Sequence, residues 1–294
     1  MLPVIVGLTG ALVFGAADFL GGIASKRIGA MRVTAIGAAA GVFLLLLSTT
    51  FIQGTWSIEA LFLGGITGVT GALAISFLYA CLAIGPMSIL SPTTAVVSAL
   101  VPMLAGLLRG EQLRSIAYLA LALALIAVIL VGFVPEKGAV RPSLKALGMA
   151  VAAGALIGMF LIIIDLTPGD SGMVPLVANR AVNAAIMFAV IGGLALFTRR
   201  RRATATGPTV SVTAGGWRPG FLLAVCCGVT DATGNIFVLI GLRLGDLTVQ
   251  SVLTALYPAG TIVLAAIVLK ERIAPVQIVG LVLAIVAASM LALG

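Results

Sequence analysis

Polar positions along this chain are few and gathered, and long apolar stretches lie between them. Ten such stretches can be drawn, roughly 3–24, 33–51, 60–84, 87–108, 115–134, 146–166, 173–197, 219–242, 246–269 and 274–292. Each is close to the ~20 residues a helix needs to cross the hydrocarbon core, where every backbone N–H and C=O must be paired within the segment. The pattern predicts ten transmembrane helices. Gly85-Pro86 divides 60–108, which is too long for one span, and Gly245-Asp246 makes the matching division further along.

The two divisions match because the chain repeats itself. Sliding 61–113 onto 221–273 places Gly68-Val69-Thr70 on Gly228-Val229-Thr230 and Phe77 on Phe237. It also places Gly85 on Gly245, Ser91 on Ser251, Thr94-Ala95 on Thr254-Ala255 and Glu111 on Glu271, with no gap. The expected organisation is a first five-helix repeat over 1–137 and a second over 143–294, joined through the turn-prone Val134-Pro135-Glu136-Lys137-Gly138. Five is odd, so the second copy enters the membrane inverted. The fold class expected is an all-α polytopic membrane protein of ten transmembrane helices in two inverted five-helix repeats, an architecture typical of secondary transporters.

Composition agrees. The chain is 61% hydrophobic and 9% charged, against about 25% charged for a soluble domain. The first apolar stretch is long and has no basic residue ahead of it, so it reads as a true span and not as a cleaved signal. The net charge of +8 is sorted by loop. Lys26, Arg27, Arg32, Lys137, Arg141, Lys145, Arg199–Arg202, Arg218, Lys270 and Arg272 fall in odd-numbered loops; even-numbered loops carry Arg109, Arg114 and Arg243. The positive-inside rule then places the odd loops in the cytoplasm and both termini outside, in a plasma or inner membrane. The basic residues therefore serve orientation, with membrane lipids as partners and no nucleic acid. Trp56 and Trp217, ahead of spans three and eight, read as interfacial anchors. Cys81, Cys226 and Cys227 lie inside spans as small packing residues, and with no histidine in the chain no metal site and no cofactor is expected.

A charge inside a span costs about 2.5–3.5 kcal/mol on insertion scales, so each one needs a reason. Asp231 lies near the middle of span eight, with Asn235 one turn on; its repeat mate is Gly71. Asp18 lies toward the end of span one. Arg180, with Asn179 and Asn183, makes a polar stripe in span seven, and Asp165 closes span six at a similar depth. An Arg180–Asp165 structural pair is therefore expected, or else a substrate clamp at Arg180. Pro92 and Pro102 in span four and Pro258 in span nine each remove a helix hydrogen bond. Interrupted helices in corresponding positions point to transport sites, which adds Ser91, Gln250, Ser251 and Tyr257 to the substrate- or proton-binding candidates, joined by Tyr79 at the end of span three. Gly37/Gly41, Gly64/Gly68 and Gly154/Gly158 have the spacing of close helix crossings.

Two five-span repeats, a short loop after span three and a glutamate closing spans four and nine (Glu111, Glu271) together resemble the drug/metabolite transporter superfamily, and more closely its EamA branch. Phe14-Gly15-Ala16-Ala17-Asp18-Phe19 and Asn179-Arg180 add to the resemblance, although the first-half counterpart near Gly37-Ala38 lacks the arginine. The resemblance implies a ten-helix basket around a cavity lined by spans one, three, four, six, eight and nine. Many relatives are drawn with cytoplasmic termini, whereas the basic loops here argue the reverse.

Nothing in the sequence builds catalysis: there is no P-loop, metal cluster or Ser/His/Asp set. The expectation is a secondary active transporter that exports a small metabolite, an amino acid or drug-like solute, by alternating access with protons, sufficient as a monomer. An anion or metabolite exchanger using Arg180 is the alternative within transport. A non-transporting scaffold or lipid-binding protein is the alternative outside it.

Overall fold

The computed structural model describes residues 1–84, 87–132, 142–204, 218–270 and 272–293; the side chains of residues 79, 82, 83, 87, 88, 198–204 and 219 are not described. The Tyr79 side chain, Glu271, Trp217, the Arg199–Arg202 side chains, the Gly85-Pro86 break and the linker after Gly132 thus lie outside the described residues.

The described chain is helical throughout, with helices α1 (Leu2–Ile28), α2 (Ala30–Ser48), α3 (Ile58–Ile84), α4 (Met87–Leu108) and α5 (Ser115–Gly132). They are followed by α6 (Leu144–Asp165), α7 (Val174–Thr204), α8 (Arg218–Leu244), α9 (Leu247–Thr254), α10 (Tyr257–Val268) and α11 (Pro275–Leu293). Ten stretches are long and apolar enough to cross a membrane, the ninth being Leu247–Val268, which contains α9 and α10. The expected all-α, ten-span fold is what the structure shows.

Of the two spans expected to be punctuated by proline, the ninth is interrupted and the fourth is not. Pro258 follows the break and sits in the first turn of α10, where no N–H bond is needed. Pro92 and Pro102 lie inside an unbroken α4. Both prolines are packed against glycines of neighbouring helices: Pro102 fills the space left at Gly158 of α6, and Pro92 lies against Gly132 of α5.

The helix pairings survive exchange of the two halves. α1 lies along α8 as α6 lies along α3, and α2 packs on α8 as α7 packs on α3. α4 packs on α6 as α9 and α10 pack on α1, while α2·α7, α4·α9 and α5·α11 map onto themselves. Close approach is built from glycine. Gly37 and Gly228 meet backbone to backbone, Gly64 and Gly68 receive the Pro175 and Asn179 carbonyls of α7, and Gly154 and Gly158 face Thr94, Val97 and Val101 of α4.

The end bearing the termini and the even-numbered loops is closed. There Met173–Asn179 are buried without exception, as are most residues of α9. At the other end α10 buries only Gly260. Repeat mates show the asymmetry directly: Ser251, at the closed end, is 1% exposed, whereas Ser91, at the opposite end, is exposed.

Candidate functional site

The charges inside the spans converge on one place. From the first turns of α7, Arg180 reaches across to α8, where its Nη2 donates to Asp231 Oδ2. Its side chain passes Gly41 of α2, where an added Cβ would stand 3.4 Å from Arg180 Cδ and 3.4 Å from Ala232 Cβ. Asp18 lies within electrostatic reach of Asp231, and Tyr257 within reach of Asp18. Cys227 feels Asp231, Asp18 and Arg180. The cluster thus joins α1, α7, α8 and α10. It holds one guanidinium and two carboxylates. Asp231 is half-buried in its ion pair, while Asp18 is exposed and has no hydrogen-bond or ion-pair partner among the described residues.

The pair expected between Arg180 and Asp165 does not form. Asp165 instead pairs with Arg109 at 2.8 Å, at the closed end of the molecule. The reason is packing: α6 lies against α3 and α4, and α4 ends where α6 ends, so Arg109 arrives beside Asp165. α7 lies against α2 and α3, which turns Arg180 inward, toward α8.

The other candidates separate. Asn179 Nδ2 donates to Thr67 Oγ1 at 2.9 Å and ties α7 to α3. Asn183, 5% exposed, points toward Gly71, and its Oδ1 has no partner, as is true of Arg180 Nε. Asn235 donates to the Asp231 backbone carbonyl at 2.8 Å, so it supports the helix and leaves the carboxylate to Arg180. Gln250 is wedged between Gly7 of α1 and Gly241 of α8, with Nε2 unpartnered. Ser251 donates to Thr248 O in its own helix. Neither joins the ion cluster, and Ser91 stands exposed away from it.

Reading the sequence missed the seal at the even-loop face. Arg243 donates to the Thr167 carbonyl and hydroxyl and to the Pro168 carbonyl, at 2.6, 2.7 and 2.9 Å. Thr55 Oγ1 donates to Asp170 Oδ2 at 2.7 Å. Glu111 accepts the N–H groups of Leu247 and Thr248 at 2.9 and 3.0 Å. The one available signal was the repeat itself, which carries a glutamate at this place in both halves. Beside Glu111, the Asp246 carboxyl, on an exposed turn but partly desolvated by its neighbours, is pushed above the usual carboxylate range, first by that desolvation and then by the charge of Glu111, with its own backbone N–H opposing.

Ten membrane-length helices around a charged interior define a multi-pass membrane protein. The EamA-like transporter family matches residues 144–293, half of the chain, and the protein belongs to that family. No curated protein matches. One solved crystal structure shares the fold with a TM-score of 0.68 over 99% of this chain and 97% of its own, at 17% identity; that likeness concerns fold alone.

Proposed function

We propose that the protein is a secondary active transporter that moves a small metabolite, an amino acid or drug-like solute, outward by alternating access coupled to protons. In this reading residues 1–137 and 143–294 are inverted repeats that exchange conformations, and the odd-loop face is cytoplasmic. One observation carries the coupling: Asp18 is a carboxylate inside a span with no hydrogen-bond or ion-pair partner among the described residues, beside an ion pair that already neutralises Asp231. A free carboxylate in the membrane interior is stable only with a proton, a cationic group or water beside it. Asp18 therefore takes the coupling role, with the Arg180–Asp231 pair and Tyr257 within electrostatic reach.

The test begins with a thermal-shift panel of amino acids and related metabolites on purified protein, since a ligand that binds only the folded state raises its melting temperature. The hit is then followed in proteoliposomes with and without a pH gradient. Asp18→Asn is expected to bind and exchange the solute but to lose gradient-driven accumulation. Accumulation at the wild-type level would remove Asp18 from coupling, and no flux in any protein would favour a scaffold. The unpartnered Arg180 Nε favours one second reading, an anion exchanger in which substrate displaces Asp231. Solute exchange that ignores the pH gradient in the wild type would select it.

A further inference from the structure

We propose that Glu111 and Asp246 are alternative caps of α9: Glu111 holds the even-loop face shut, and Asp246 takes over when that face opens. The proposal rests on the alternating-access reading.

A helix N-terminus carries N–H groups without intrahelical partners, normally satisfied by the residue just before the helix. Asp246 occupies that position at α9, has the extended backbone of a cap (φ −73, ψ 140) and is a preferred residue type there, yet its side chain makes no capping bond. Glu111 does the work instead, from 136 residues away. A local cap serves the helix in any arrangement of the bundle. A remote one serves only while α9 is pressed against the end of α4, so its bonds are conditional on closure.

The approach is built for this contact. α4 ends in a Schellman turn: Gly110 has φ 91, Gly110 N–H bonds to Leu107 O at 3.0 Å, and Glu111 N–H bonds to Gly106 O at 3.2 Å. That turn throws the Glu111 carboxylate back onto α9. Gly106 leaves room for it beside Thr248, whose hydroxyl donates to Met103 O at 3.1 Å. With Glu111 on the Leu247 and Thr248 N–H groups, a charged Asp246 turning in would meet a like charge and a donor already taken; once Glu111 withdraws, the Thr248 N–H is free to receive it. The reserve cap lowers the cost of opening.

The two residues should therefore act with opposite sign, which a purely structural role would not produce. The reporter is Ser251→Cys, buried one turn below the cap, in a chain with Cys81, Cys226 and Cys227 replaced by alanine. A membrane-impermeant maleimide is applied to sealed vesicles from the even-loop face. Glu111→Ala is expected to speed labelling about tenfold, and Asp246→Ala to slow it by a similar factor, given what one cap contributes. Ser91→Cys, labelled from the other face, should move the opposite way in each. Should Glu111→Ala fail to fold, Glu111→Gln, which keeps one acceptor, and Asp246→Ala, on the exposed turn, still give both signs. Changes of the same sign, or no change, overturn the proposal. The assay needs no solute, so opposite signs in a protein that carries nothing would sink the transport reading while the cap exchange stood. A protein that accumulates solute with unresponsive labelling would do the reverse.

Discussion

Arg180 and Asp231 are each expensive in a membrane span and cheap together. The pair sits on α7 and α8, with side chains 16% and 29% exposed. Removing one partner leaves the other charge uncompensated; for buried pairs that costs about 3–5 kcal/mol, and partial exposure here reduces it to about 2 kcal/mol. Arg180→Ala and Asp231→Ala should each lower folded yield and melting temperature, and Arg180→Ala with Asp231→Ala should recover most of the loss. Equal melting temperatures for the single and double variants would rule the coupling out. The sequence showed both residues as misplaced charges but not their partnership. Asp165 had the right charge and depth for Arg180, yet which face of α7 looks at which neighbour is set by its crossings with α3 at Gly64 and Gly68 and with α2 at Gly41, helices distant in sequence. Asn235 misled in a related way, since its one-turn spacing from Asp231 is satisfied by the backbone carbonyl and not by the carboxylate.

At the scale of elements, the ten spans were legible because hydrocarbon imposes a length and a polarity that few other constraints override. The break in span nine was legible from Pro258, whereas the prolines of α4 gave no break and pack against Gly132 of α5 and Gly158 of α6. The helix ends carry the repeat further than apolar pattern could reveal. Gly110 at φ 91 and Lys270 at φ 56 occupy corresponding positions, each one residue before the repeated glutamate. Glycine takes that conformation freely; lysine does so against its Cβ, at about 1 kcal/mol. Lys270→Gly is therefore expected to relieve about 1 kcal/mol of strain, of which the greater freedom of glycine in the unfolded chain takes back roughly half, leaving a small rise in melting temperature in detergent. A lower melting temperature would mean that the Lys270 side chain holds something worth more than the strain.

For the whole molecule, most of the basic residues and the less buried end fall on one side. Lys26, Arg27, Arg32, Arg218, Lys270 and Arg272 lie at the odd-loop face, which is also where α10 is loosely buried and Ser91 exposed. The even-loop face carries the Arg109–Asp165 bridge, the Arg243 contacts and the Glu111 cap. In the proposed orientation the less buried side faces the cytoplasm and the termini lie outside, which the alternating-access reading takes as an inward-open state. Under the proposed alternating access this is more than a label, because the opposite insertion would make the same arrangement outward-open and reverse the face on which each proposed cap acts. Lys26→Cys and Thr50→Cys, both at exposed positions and on opposite faces, decide it when each is the sole cysteine. In intact cells an impermeant maleimide should label Thr50→Cys and spare Lys26→Cys, with the order inverted in inside-out vesicles. Labelling of Lys26→Cys from outside would overturn the orientation and leave the helix packing untouched, and the proposed seal at the even-loop face would then be the cytoplasmic one.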